Sequence, residues 1–210
     1  MEKLNGNKKL KISVFISGRG TNLKSIIKFS KNKNSPIKVE LVVSSNKYAK
    51  GLIFADKDKI KSLIINYKNK KKAEEKILIN LKKNKIDFIC LAGFMKILSK
   101  KIIKKYKNKI LNIHPSLLPK YGGKGYYGIK VHIAVLESNE KETGATVHFV
   151  DEHYDTGPIL LQEKIAVSSS ETPEMLAKRV LELEYLIYYK AVRLFCEGRV
   201  LIKNNIVEIK

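Results

Sequence analysis

LKISVFISGRGTNLKSIIKFSK, residues 10–31, changes its period halfway along. Five of its first eight residues are apolar and the run is β-rich, the pattern of a strand. Ser17–Leu23, SGRGTNL, then brings Gly18 and Gly20, and TNLKSIIKFSK places its apolar residues at helical spacing. A buried strand, a glycine turn and a helix make half of a βαβ unit.

The alternation continues outward. IKVELVVSS (37–45) predicts a second strand and YAKGLIFADKDK a short helix. SLIIN (62–66) predicts a third strand, and KKAEEKILINLKKNK an amphipathic helix with Ile77, Leu78 and Leu81 as its stripe. DFICLAG (87–93) reads as a buried strand, KILSKKIIKKYKN as a helix and KILNIH (109–114) as a strand. Beyond residue 140 the rhythm changes: TGATVHFV and PILLQEKIAV are strands in succession, which implies antiparallel pairing at a sheet edge. A long helix follows, with Thr172 as N-cap, Pro173 at its first position and Gly198 ending it. The terminal VLIKNNIVEIK predicts a hairpin turning at Asn204-Asn205. With no internal repeat and no long linker, residues 1–210 read as a single domain. The fold class is α/β: one doubly wound, mostly parallel sheet with helices on both faces and an antiparallel edge.

Composition narrows the function. Hydrophobic residues make up 44% of the 210, enough for a sizeable core, and no apolar run reaches membrane-spanning length. MEKLNGNKKLKIS lacks the apolar centre of a signal peptide. Cys90 and Cys196 lie in apolar contexts, DFICLAG and RLFCEG, as buried thiols of a reducing compartment do. We therefore expect a cytoplasmic protein without a membrane. The net charge of +22 invites a nucleic-acid reading. Yet the charge is almost all lysine, spread from end to end, with arginine only at 19, 179, 193 and 199. Base-reading proteins favour arginine for its bidentate fork. No specific nucleic acid is expected as partner; small-molecule substrates are, acting on a monomer or homodimer.

Ligands of open α/β sheets bind beyond the carboxyl ends of the strands. SGRGTNL there is neither a Walker loop nor G-x-G-x-x-G, since Leu23 takes the third glycine's place. It reads as a site for a small phosphate monoester at a helix N-terminus, or as a bare strand–helix turn. AGFMKIL places Phe94, Met95, Ile97 and Leu98 beside Gly93, either against a flat apolar ligand or as ordinary core. In NIHPSLLP, Asn112 and His114 alternate along a strand and share a side. An amide donor and a proton carrier aimed at one point suit an oxyanion formed in acyl transfer. A histidine satisfied by a backbone carbonyl is the plainer alternative. Asp151, Glu152 and Asp155 follow in DEHYDTGP; a carboxylate beside His114 would raise its pKa and fix its tautomer. His132, His148 and His153 complete no metal-ligand spacing, so no metal is expected. No G-x-S-x-G is present and neither cysteine lies near the cluster, which favours direct transfer between two bound substrates.

These motifs, in this order and spacing, carry a resemblance. SGRGTNL, LAGFMKIL, LNIHPSLLPKY, GATVHFVDEHYDTGPILLQEKIAV and RVLELEYLIYYKAV together resemble the folate-dependent phosphoribosylglycinamide formyltransferases of purine synthesis, over about Lys11 to Arg199. The resemblance implies that Asn112, His114 and Asp155 are the catalytic trio. It implies that Gly20, Thr21, Asn22, Leu181, Glu182, Leu183 and Glu184 bind glycinamide ribonucleotide. Met95, Lys96, Ile97, Leu98 and Asn112, with the loop Asp151, Glu152, His153, Tyr154 and Asp155, would bind the co-substrate 10-formyltetrahydrofolate. The implied mechanism is attack of the ribonucleotide's amine on the formyl carbon, with Asn112 and a protonated His114 meeting the oxyanion. The chain departs from the family at Lys96, where many relatives have arginine, and in the glycine-rich YGGKGYYG. Lys70 is a loose stand-in for a family arginine. A methionyl-tRNA formyltransferase shares HPSLLP but carries a C-terminal extension and lacks SGRGTNL. A formyltetrahydrofolate hydrolase carries an extra regulatory domain, and a basic RNA-binding relic would not need an intact trio.

Overall fold

A computed structural model describes residues 9–210; most of the stretch read for a signal peptide lies outside the described residues. Nine strands and six helices follow one another along these residues. They are β1 (Leu10–Ile16), α1 (Thr21–Ser30), β2 (Ile37–Ser44), α2 (Leu52–Lys57), β3 (Lys61–Ile64), α3 (Lys70–Lys83), β4 (Phe88–Leu91), α4 (Lys100–Lys105), β5 (Ile110–His114), α5 (Ile129–Glu137), β6 (Glu142–Phe149), β7 (Ile159–Ala166), α6 (Pro173–Cys196), β8 (Val200–Lys203) and β9 (Ile206–Ile209). Seven strands form one sheet in the order β3-β2-β1-β4-β5-β6-β7, and β8 pairs with β9 alone. The α/β class, the mostly parallel sheet and the antiparallel edge stand as the sequence predicts.

The chain contains two compact units. One takes the described residues up to Leu111 with Cys196–Gly198; the other takes Asn112–Phe195 with Arg199–Lys210. In the first unit, β1 pairs in parallel with β2 on one side and β4 on the other, and β2 with β3. The chain thus winds outward from β1 through β2 to β3 and then returns to β4. That reversal is the switch point of the sheet, and ligands of open α/β sheets bind beyond the strand ends there. Ile12, Val14, Phe15 and Ile16 of β1 are completely buried, as are Phe88, Ile89 and Cys90 of β4. This burial on both faces is why these strands read as continuous apolar runs. Ile77 and Leu81 of α3 are buried while Ile79 is exposed, the separation a 3.6-residue period produces.

In the second unit β6 and β7 pair antiparallel, from Glu142↔Ala166 to His148↔Ile159, with a register shift at Val147/His148. Ala145, Val147 and Phe149 are buried, and α6 buries Leu176, Val180, Ile187, Tyr188 and Ala191. Thr172 caps α6, its hydroxyl accepting from Met175 N–H at 3.3 Å. Asn204 and Asn205 have φ of 48° and 63°, the two positive values a type I′ hairpin turn needs.

Two elements start later than the sequence predicts. The helix expected from Lys96 begins at Lys100, because Ser99 is extended and its hydroxyl caps Ile102 N–H at 3.4 Å. The helix expected from Tyr48 begins at Leu52, because the Asn46 side chain accepts from Tyr48 N–H at 2.9 Å and holds a turn there.

Candidate active site

In the first unit the loops after β1, β2 and β4 are tied through one serine. Ser17 Oγ lies 2.6 Å from Ser45 Oγ and accepts from Met95 N–H at 2.8 Å, while Ser17 N–H donates to Gly93 O at 3.0 Å. Gly20 caps α1 with φ of 72° and no side-chain cap. A Cβ on Gly20 would run into Gly51 Cα, and Gly51 N–H donates to Gly18 O at 3.0 Å. Glycine is therefore required at 20 and 51, by left-handed backbone at one and close approach at both; Gly18 has open space around it. The first intrahelical bond runs from Lys24 N–H to Gly20 O. The amides of Thr21, Asn22 and Leu23 precede it at the positive end of the helix dipole, a position that favours an anion. Asn22 is buried. An open groove of about 630 Å³ borders this loop, lined by Arg19, Lys47, Tyr48, Lys50, Ile53 and Phe54 among others. Gly51 and the groove were missed in the sequence; the only local signal was AKG before an apolar run.

The loop after β4 divides the four residues implied as folate contacts. Met95 and Ile97 are about half exposed, Lys96 is exposed, and Leu98 is buried at 4%. Leu98 therefore belongs to the core of this unit, and Met95 and Ile97 carry the apolar surface.

In the second unit the expected trio meets at Asp155. Its carboxylate lies 3.6 Å from His114 Nδ1, accepts from Asn112 Nδ2 at 3.5 Å and accepts from Gly123 N–H at 2.9 Å. His148, read only as a strand residue, joins them: its Nε2 lies 3.6 Å from Asp155 Oδ1 and 3.1 Å from Asn112 Nδ2. The register shift before His148 was invisible in the sequence, since period 2 continues unbroken through GATVHF. Asp155 itself sits at φ of 53°, a left-handed position that Asp tolerates better than most residues.

Hydrogen-bond partners set the tautomers. His114 Nε2 is 2.7 Å from Tyr121 O. A carbonyl only accepts, so Nε2 carries a proton, and Nδ1 faces the Asp155 carboxylate, which also only accepts. His148 Nδ1 is 2.9 Å from Phe149 O and is likewise protonated, which leaves its Nε2 to accept from Asn112.

Burial lowers the pKa of His114, outweighing the upward pull of Asp155 and of the Tyr121 carbonyl; His148 adds to the decrease. Only 5% of His114 is exposed, so desolvation is the largest of these influences and opposes the pull of Asp155. Burial pushes Asp155 upward, but the nearby His148 and His114 and the Gly123 amide hold it below the ordinary carboxylate value. His132 on α5 is buried, its Nδ1 without a hydrogen-bond partner among the described residues. Burial, with His114 nearby, lowers its pKa to about 4.

The other implied residues divide by geometry. Asp151 accepts from His153 N–H and from the Thr156 hydroxyl, so it shapes its own loop. Glu152, His153 and Tyr154 are exposed. On α6 Glu184 is buried and Leu181 half-buried one turn before it, whereas Glu182 is exposed. Four successive helical residues cannot face one ligand, and only Leu181 and Glu184 share a side. Among the described residues no group of three His, Cys, Asp or Glu is arranged to hold a metal ion, and no helix is long and apolar enough to cross a membrane.

This fold, with its switch point, is that of a known class of enzyme. The formyl transferase family model matches residues 10–192, and the chain belongs to that family. Among individual relatives, the chloroplastic phosphoribosylglycinamide formyltransferase of Vigna unguiculata is 40% identical over 201 residues, 93% of this chain. The chain spans 64% of that relative's length. The phosphoribosylglycinamide formyltransferase of Haemophilus influenzae is 39% identical over 93% of this chain and 92% of its own. The crystal structure of glycinamide ribonucleotide transformylase 1 from Symbiobacterium toebii matches with a TM-score of 0.90 at 34% identity, covering 98% of this chain and 99% of that one.

Proposed function

We propose that the chain, as one formyltransferase domain, transfers the formyl group of 10-formyltetrahydrofolate to the amine of glycinamide ribonucleotide, releasing tetrahydrofolate. The observation that carries this reading is the Asp155 carboxylate, approached within 3.6 Å by Asn112, His114 and His148. The names and coverage of the relatives supply the substrate.

The steps follow from the protonation states. The amine attacks the formyl carbon and a tetrahedral oxyanion forms. Asn112 Nδ2 is its donor: the long 3.5 Å contact to Asp155 is the one an oxyanion displaces, while the 3.1 Å contact to His148 holds the amide plane. His114, paired with Asp155 across 3.6 Å, meets the same oxyanion as an imidazolium. The proton lost by the attacking nitrogen passes, with the help of the Asp155 carboxylate, to the departing folate nitrogen as the C–N bond breaks. Gly20, Thr21 and Asn22 hold the phosphate through the amides opening α1, and Leu181 and Glu184 contact the rest of the ribonucleotide. Met95, Lys96 and Ile97 line the folate site with the Asp151–Asp155 loop.

The test mixes the protein with 10-formyltetrahydrofolate and follows tetrahydrofolate release with and without glycinamide ribonucleotide. Release that needs the ribonucleotide, and that His114→Ala lowers by about 10³-fold, is the expected result. Release without the ribonucleotide identifies a hydrolase, and no release overturns the proposal.

A further inference from the structure

The loop after β5, residues 115–123, meets the catalytic pair at its far end and β6 at its near end. At the far end Tyr121 O accepts from His114 Nε2 at 2.7 Å, and Gly123 N–H donates to Asp155 Oδ2 at 2.9 Å. His114 Nδ1 faces that same Oδ2 across 3.6 Å. Both ring nitrogens thus face oxygens that only accept, the arrangement an imidazolium needs. The loop supplies one of these oxygens and steadies the other. At the near end a single hydroxyl holds the backbone. Thr146 of β6 is completely buried. Its Oγ1 donates to Ser116 O at 2.6 Å and accepts from Leu118 N–H at 3.2 Å. Gln162 of β7 donates through Nε2 to Thr146 Oγ1 at 2.9 Å and to Leu118 O at 3.0 Å. The one donor and two acceptor positions of the Thr146 hydroxyl are therefore all in use. Ser116, also completely buried, carries the bracing onward, its hydroxyl donating to Lys120 O at 2.6 Å, one residue before Tyr121. Packing leaves the loop little slack: a Cβ on Gly122 would meet Leu118 Cδ2 at 2.5 Å and Asp155 Cβ at 3.4 Å.

We propose that Thr146 is a positioning residue for His114 and Asp155: its hydroxyl fixes the loop after β5 so that Tyr121 O and the Gly123 amide meet the pair. Without that hydroxyl Ser116 O and Leu118 N–H, both inside the fold, lose their partner, and the loop must shift to find others. A shift of that kind moves two groups at once, because Tyr121 O and Gly123 N–H lie on the same short stretch. Misplacement by a fraction of an ångström is enough to slow a reaction that depends on alignment. The inference rests on the transferase reading for its kinetic consequence, but the bracing it assigns is a property of the free protein.

The experiment uses Thr146→Val, which keeps the shape and removes the hydroxyl. We expect kcat to fall about 10-fold with both KM values within about two-fold of the parent. Tyr121 O and Asp155 each raise the His114 pKa, so loosening the loop moves the alkaline limb of the kcat–pH profile, where the imidazolium is lost, to lower pH. The other titratable groups near His114 are His148 on β6 and His132 on α5, and neither is altered. Thr146→Ser, which restores the hydroxyl, should stay within about two-fold of the parent in kcat. Gln162→Ala removes one support from the exposed face of β7 without opening the core, and should lower kcat about three-fold. Ile77→Val, a truncation in the core under α3, should lower stability and leave kcat unchanged. Nitrogen-15 NMR titration of histidine-labelled protein should place the His114 midpoint at lower pH in Thr146→Val than in the parent. A Thr146→Val enzyme with parental kcat and His114 midpoint overturns the proposal, and so does a Thr146→Ser enzyme that loses as much as Thr146→Val. If Thr146→Val does not fold, Gln162→Ala decides, and parental kcat with a parental midpoint there overturns it. A parent that transfers no formyl group overturns the transferase reading, and the NMR midpoints then decide the positioning alone.

Discussion

The loop cluster of the first unit and the histidine cluster of the second use different parts of the chain. Around Gly20, contact depends on main chain and hydroxyls: the amides opening α1, Ser17 joined to Ser45 and Met95, and two glycine backbones in touch. Around Asp155 the side chains act, and His114 and Asp155 both have shifted pKa values. A site of backbone amides cannot change its charge with pH, so it is sensitive to shape. A site of buried imidazoles and a carboxylate keeps its shape when one atom is exchanged, so it is sensitive to protonation. That difference fits the division proposed above, with an anion held at one cluster and a proton moved at the other.

The largest effect should come from Asp155→Asn. The amide is nearly isosteric, but it cannot stabilise an imidazolium at His114. The expected result is a fall in kcat of about 10³-fold, with ribonucleotide affinity by calorimetry within about two-fold of the parent. A comparable loss of affinity would show that the clusters are not divided in this way.

The second effect concerns pH. His132 titrates near 4 when folded and near 6.5 when unfolded. Its folded pKa is the lower, so the unfolded chain binds more protons between these values. Its contribution is therefore present above pH 6.5 and is lost as pH falls towards 4, on the order of 3 kcal/mol in total. His114 is shifted in the same direction and adds to the loss. Urea unfolding of the parent and of His132→Gln at pH 7 and pH 5 should give a smaller fall in stability for the variant. Equal falls would remove His132 from the account.

The smallest effect on proton transfer should follow Gly20→Ala. The left-handed backbone costs about 1–2 kcal/mol for a residue with a Cβ, and the contact with Gly51 adds to it. Thermal melts should show this loss, with KM for the ribonucleotide raised and the kcat–pH profile unmoved. A shifted profile would mean that the loop's shape reaches the titrating groups.

Much of the fold was legible because it depends on near neighbours. The glycine turn at 18–20, the Thr172 cap, the Asn204-Asn205 turn and the apolar strands all follow from residues within one turn or one hairpin. The site was legible to the extent that Asn112 and His114 alternate on one strand and that motif resemblance brought in Asp155. The late start of α4 was missed because KILSKK has helical spacing and only the Ser99 cap decides between Lys96 and Lys100.

The sequence by itself determined the α/β alternation, the antiparallel edge and the Thr172 cap, since period and turn chemistry are local properties of the chain. Only the tertiary structure decided that His148 supports Asn112 from 36 residues away, that the Asp155 carboxylate arrives from 43 away, that Gly51 faces Gly20 and that burial opposes the charge on His114. Those outcomes depend on which groups share a buried volume. Desolvation and hydrogen-bond acceptance there depend on the packing around each group and not on its place in the sequence.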